Sequence, residues 1–277
     1  EFVSIIGPSV CGKSTTMLIA AGLLAPSTGR VEVDGKPVEK PLTDVGIVFQ
    51  DPSTSLNPVL TVGQQLTEGL RAHTQMTRAQ RLQRAAELLD LVGIPDAKAL
   101  DRYPHEFSGG QRQRVLIAMA VSCGPSLLIA DEPTTALDAT IQAQIVELLK
   151  DLQKRLGMAI LWITHDLALV AGLVDRVAVM YAGRIVEQAA VLHLFRKPRH
   201  PYTAGLLRAM PRPDARHAGG APLIPIPGTP PNLSDELPGC AFAPRCPHVV
   251  DRCRAERPEL GSIGPDHVAA CFRSEDL

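Results

Sequence analysis

The chain has 277 residues, 45% of them hydrophobic, and its 28 basic and 29 acidic side chains leave a net charge of −1. That is enough chain to bury a sizeable core as one large domain with an extension, or as two modest domains. The balance lacks the basic excess of a nucleic-acid binder, so no nucleic-acid partner is expected.

No run approaches the roughly eighteen uninterrupted apolar residues of a membrane helix, and the first ten residues show no basic stretch ahead of an apolar one. Work at a membrane would need another subunit to span it.

In chain order, Phe2 to Ile6 is a short apolar run of strand length, and the pattern from Lys13 predicts a helix through Leu24, closed by Ala25-Pro26. Between them Gly7-Pro8-Ser9-Val10-Cys11-Gly12-Lys13-Ser14 fits the phosphate-loop pattern G-x-x-x-x-G-K-[ST]. Gly7 and Gly12 let the backbone bend so that successive N–H groups point at phosphate oxygens, reinforced by the positive end of the following helix. Lys13 is placed to bridge the β- and γ-phosphates and the Ser14 hydroxyl to ligate Mg²⁺, with Thr15 next to them in the nucleotide-binding set.

Val31 to Val33 and Val45 to Phe49 are the next strand candidates, and Gln50 ends the second. From about 52 to 125 the pattern turns helical. There Thr77-Arg78-Ala79-Gln80 forms a capping box, followed at helical spacing by Leu82, Ala85, Ala86 and Leu89 until Gly93. Ser108-Gly109-Gly110-Gln111 is also a capping box. Its two glycines allow close backbone approach, so the capped helix tip can offer N–H donors to a γ-phosphate.

Leu127 to Ala130 and Ala159 to Ile163 are continuous apolar runs, as expected of parallel strands covered on both faces, with an amphipathic helix from about Ala139 to Leu156 between them. Asp131, at the end of the first, is placed to hold Mg²⁺, and Glu132 to polarise an attacking water. Asp138 suits a helix N-cap, and His165 follows the second strand. Arg176 to Tyr181 and Arg184 to Glu187, joined at Ala182-Gly183, read as a closing hairpin.

Beyond about residue 197 the composition shifts to Pro, Arg, Gly and Cys with little periodicity, which predicts a separate, irregular appendage. Four of the six cysteines, Cys240, Cys246, Cys253 and Cys271, fall there, separated by five, six and seventeen residues. That spacing fits neither the common zinc pattern nor the ferredoxin runs. Four thiolates suit a [4Fe–4S] cluster or Zn²⁺, and free or disulfide-bonded thiols are the remaining reading. Cys11 and Cys123 are expected to be packing residues.

Phosphate loop, Ser108-Gly109-Gly110-Gln111 and the apolar run into Asp131-Glu132 together resemble the ATP-binding subunit of an ABC transporter. The resemblance covers nearly the whole chain. The fold it implies is α/β: a P-loop NTPase core over 1–196 with a helical subdomain inserted at about 52–125, then a Cys/Pro-rich extension over 197–277.

It also implies roles. Glu132 is the general base and His165 the switch that contacts the γ-phosphate. Gln50 is the Q-loop residue near Mg²⁺ that senses the membrane partner. Asp138, in Ala136-Leu137-Asp138, is the D-loop residue at a dimer interface, and Ser108-Gly109-Gly110-Gln111 completes the site of the opposite subunit. ATP and Mg²⁺ are the implied cofactors. The implied partners are transmembrane permease subunits, a second identical or sister ATPase, and indirectly an external substrate-binding protein. The implied location is the cytoplasmic face of the bacterial inner membrane.

Phe49-Gln50-Asp51-Pro52-Ser53-Thr54-Ser55-Leu56-Asn57-Pro58 and His200-Pro201-Tyr202-Thr203 resemble the oligopeptide and dipeptide importers, whose similar tails imply the iron–sulfur cluster. Residues 1–50 are closer to nitrate and sulfonate importers, as in a hybrid. Set beside that family the chain is expected to be truncated, with the upstream strands and the adenine-stacking aromatic falling ahead of Glu1. Val10 stands where the family has Gly, and a β-branched residue tolerates positive φ poorly, so reduced nucleotide affinity is expected. Two rival readings are an impaired nucleotide-binding or redox-sensing module and a soluble ABC ATPase.

Overall fold

Apolar strands that end in polar residues organise the computed structural model, which describes residues 1–8, 11–33, 35–135, 137–210, 224–233 and 237–277. The expectations placed on Ser9, Val10 and Ala136 lie outside the described residues. In chain order the elements begin with β1 (Phe2–Ile6), α1 (Lys13–Ala20), β2 (Glu32–Val33), β3 (Lys36–Pro37) and β4 (Val45–Val48). The helices α2 (Pro52–Ser55), α3 (Val62–His73), α4 (Arg78–Leu91) and α5 (Gly109–Val121) follow. Then come β5 (Leu127–Asp131), α6 (Ala139–Leu156), β6 (Ala159–Thr164), α7 (Leu167–Val170), β7 (Arg176–Tyr181) and β8 (Arg184–Ala190). The last are α8 (Val191–Arg196), α9 (Pro201–Arg208), α10 (Asp251–Ala255), β9 (Gly261–Gly264) and β10 (His267–Ala269). The chain divides into two compact units, one of Glu1 with Ser14–Trp162 and one of Phe2–Lys13 with Ile163–Leu277.

In the first unit β4 pairs in parallel with β5, Val45 opposite Leu127 through Val48 opposite Ala130, and β6 neighbours β5. Leu128, Ile129, Ala130 and Trp162 are fully buried, which is why these segments read as unbroken apolar runs rather than alternating ones. A Cβ at Gly46 would collide with the Ala120 carbonyl oxygen, so the glycine lets α5 lie directly on β4. Helix α6 buries Ile145, Leu149 and Leu152 along one stripe and stops at Gly157, whose φ is 67°.

Helix α1 ends at Ala20, four residues short of the expected Leu24. Gly22 adopts φ 73°, and the Leu23 and Leu24 amides both turn back to the Leu18 carbonyl, closing the helix before its apolar pattern runs out. Capping boxes at Thr61/Gln64 and Thr77/Gln80 open α3 and α4. On α4 the buried face is Ala85, Leu88 and Leu89, whereas Leu82, expected on that face, is 41% exposed. It lies in the second turn, ahead of the buried stripe.

In the second unit β1 runs parallel to β7, and β7 turns antiparallel into β8. The turn falls at Ala182-Gly183, both with positive φ, as a tight hairpin requires. β8 runs to Ala190, past the expected Glu187, because β7 stays paired with it as far as Arg176 opposite Ala190, and β10 pairs along its other edge with Val268 opposite Gln188 and Ala269 opposite Glu187. The segment after 197, expected to be irregular, therefore carries α9, α10 and a terminal hairpin that extends this sheet. Its apolar contacts are aromatic: the rings of Tyr181, Tyr202 and Phe242 meet with centroids 4.5–5.5 Å apart.

Candidate functional site

In the second unit the phosphate loop leaves β1 at Gly7, where a Cβ would stand 2.5 Å from the Met180 carbonyl oxygen and 2.7 Å from Cys11 Sγ. Only glycine fits there. Gly12 has φ 100°, a backbone conformation that L side chains rarely adopt. The Lys13 ammonium donates to the carbonyls of Gly7 (2.8 Å) and Pro8 (2.9 Å), and its side chain is buried. The carbonyls of Gly7 and Pro8 therefore face the lysine that follows them. Burial pushes the Cys11 thiol up, opposed by the Lys13 charge.

In the first unit Ser14 Oγ donates to Asp131 Oδ2 at 3.0 Å, so two of the three residues expected around Mg²⁺ meet. Asp131 is buried at the end of β5, beyond three fully buried apolar residues. Glu132 follows in the left-handed region, φ 46°, a strained place for a residue with a Cβ. Its Oε2 accepts from Gln50 Nε2 at 3.1 Å and Thr135 Oγ1 at 3.0 Å. Thr135 was not among the expected site residues; its signal was a hydroxyl three positions after an acid that ends a buried strand.

Ser108 caps α5 as the sequence indicates, its Oγ accepting from the Gln111 amide while Gln111 Oε1 accepts from the Ser108 amide. Ser108, Gly109 and Gln111 are exposed. A Cβ at Gly110 would sit 2.7 Å from Ile141 Cγ2 on α6, so this glycine serves helix packing as well. Asp138 accepts from the amides of Thr140 and Ile141 as the N-cap of α6. His165, exposed, follows β6 in the second unit; the cap of α7 is its neighbour Asp166. Thr15 is exposed in the first turn of α1.

Cys240, Cys246, Cys253 and Cys271 all border one small cavity of about 10 Å³, with His200, Phe242 and Arg273 in its wall. Burial raises the thiols of Cys240, Cys246 and Cys271, the last to about 11, and their mutual proximity raises them further. Among the described residues no group of three or more His, Cys, Asp or Glu side chains is arranged to hold a metal ion. The four cysteines are free, with no disulfide between them. Cys11 is buried as expected, but Cys123 is exposed, because it lies beyond the last turn of α5.

Among the described residues no helix is long and apolar enough to cross a membrane. The family model for the ABC transporter matches residues 1–135, and that for the oligopeptide/dipeptide transporter C-terminal region matches 186–253. A probable peptide ABC transporter ATP-binding protein of Sinorhizobium fredii is 49% identical over 292 residues, covering 100% of this chain and 87% of that protein. The oligopeptide transport ATP-binding protein OppD of Salmonella typhimurium is 47% identical over 287 residues, covering 99% and 84%.

Among solved structures, the ATP-binding cassette MJ0796, a dimer bound to ADP and Pi, has a TM-score of 0.62 at 32% identity, over 69% of this chain and 85% of that one. CbiO1 of Clostridium perfringens, part of an ABC transporter complex, has a TM-score of 0.64 at 34% identity, over 71% and 80%. The chain belongs to the ABC transporter ATP-binding family. Within it, the chain carries the C-terminal region of the oligopeptide and dipeptide transporters.

Proposed function

We propose that the chain binds and hydrolyses ATP to power an importer of di- and oligopeptides, and that Glu132 is its general base. The observation that carries this reading is the Glu132 carboxylate, held by Gln50 and Thr135 directly after the Ser14–Asp131 pair. Gly7, Gly12 and Lys13 bind the β- and γ-phosphates, and Gln50 and Thr135 orient the carboxylate toward a water. Ser14 and Asp131, with Gln50, would hold Mg²⁺, which supplies charge neutralisation at the phosphates. His165 acts at the γ-phosphate.

The exposed tip of α5, Ser108 to Gln111, and Asp138 serve a second ATPase subunit, identical or sister. Transmembrane permease subunits complete the machine at the cytoplasmic face of the bacterial inner membrane, supplied by an external binding protein. The match to peptide-import ATPases along 99–100% of this chain favours this over an impaired sensing module or a soluble ATPase.

Lys13→Ala should lower ATP hydrolysis about a hundredfold or more and weaken nucleotide binding, because the charge facing the phosphates is removed. Phosphate release and a nucleotide titration check it, and wild-type turnover in that variant would overturn the reading.

Four cysteines around one cavity support reading this region as a tetrathiolate centre that would hold a [4Fe–4S] cluster, with zinc or free thiols as the other readings. Protein purified without oxygen should contain iron and sulfide and absorb broadly in the visible. Zinc alone would assign the other metal, and no metal would leave four thiols.

A further inference from the structure

The phosphate loop rests on the β7–β8 turn. The Gly183 amide donates to the Cys11 carbonyl at 2.9 Å, and Cβ atoms built on Gly7 and Gly12 would both meet Met180. Between Met180 and that turn stands Tyr181, which is buried and points its hydroxyl into the C-terminal region. Arg245 Nη1 donates to that hydroxyl at 3.3 Å, while Nε and Nη2 donate to the carbonyls of Pro227 and Ile226, so the guanidinium is fixed on three sides. Phe242 meets Tyr181 edge-on at 5.3 Å and Tyr202 at 5.5 Å, and is itself buried. Burial drives the Tyr202 phenol upward, and the Cys11 sulfur is near enough to add to it. A packed path thus leads from the segment between Cys240 and Cys246 to the backbone that cradles phosphate.

We infer that Phe242 and Arg245 are positioning residues for ATP: through Tyr181 and the Gly183–Cys11 hydrogen bond they hold the phosphate loop in its binding shape. The inference rests on the ATPase reading above. It gives the C-terminal segment a task in nucleotide binding, exerted through the β7–β8 turn. A side chain anchored by two carbonyls beside a buried aromatic cluster has one available position, so the tyrosine it touches is held with it.

The test is the ATP dissociation constant of the full chain, read with a fluorescent ATP analogue, alongside the thermal unfolding midpoint. Arg245→Ala should weaken ATP about tenfold and Tyr181→Phe, which removes only the hydroxyl, about threefold. The double variant should bind no more weakly than Arg245→Ala alone, since both delete one connection. Glu256→Ala, which breaks only the exposed Arg252–Glu256 pair, should leave affinity unchanged.

If Arg245→Ala fails to fold, Tyr181→Phe decides alone. Wild-type affinity in the folded variants, with only the midpoint lowered, would overturn the inference and leave the ATPase reading standing. A wild-type chain that binds no ATP would overturn both.

Discussion

Replacing Glu132 with Gln should cut steady-state ATP hydrolysis by about a hundred- to ten-thousandfold, the usual contribution of a general base, while ATP binding survives. The substitution keeps the length of the side chain and its place beside Gln50 and Thr135, so it removes basicity and little else. It also keeps the left-handed backbone at this position, φ 46°, which the surrounding structure already imposes. Bound ATP that is not hydrolysed should then accumulate a dimer, visible as an ATP-dependent shift to about twice the mass in gel filtration. Hydrolysis at the wild-type rate would assign the base elsewhere.

Glu187→Ala should destabilise the second unit by about 3–5 kcal/mol, because three hydrogen-bond partners lose their acceptor and each group left unsatisfied costs about 1–3 kcal/mol. The Glu187 side chain is fully buried on β8. Its Oε1 accepts from the Arg199 amide at 2.6 Å and lies 2.7 Å from His267 Nε2, and its Oε2 accepts from the His200 amide at 3.0 Å. Alanine would strand a buried amide, a partly buried one and a ring nitrogen at once. Urea unfolding followed by circular dichroism measures the loss, and Glu187→Gln, which keeps one acceptor, should fall between the two. A change below about 1 kcal/mol would mean that water or a neighbour replaces the carboxylate.

What could be read from the residues alone was local. The phosphate loop, the Ser108 capping box, the acids after β5 and the Asp138 cap each sit within a few positions of the backbone groups they serve, so spacing alone identifies them. What escaped was set by long-range pairing. Glu187 looked like the end of a strand, and only the return of β10 some eighty positions later buries it against His267. Tyr181, Tyr202 and Phe242 come from three segments with no shared period, so the packing of the C-terminal region left no pattern to find. Leu82 shows the opposite failure: an apolar residue near a helix end obeys the period and still faces solvent.

The pairing of β10 with β8 has one more consequence. β8 is the last strand contributed by residues before 197, and in a chain cut after that point its amides and carbonyls on one side would stand open in a row. Such a row is a template for other extended chains, and natural sheets cover or blunt it. The returning hairpin therefore acts as a guard against aggregation, and it closes with a strand of only four residues that has glycine at both ends, a poor surface on which to add another.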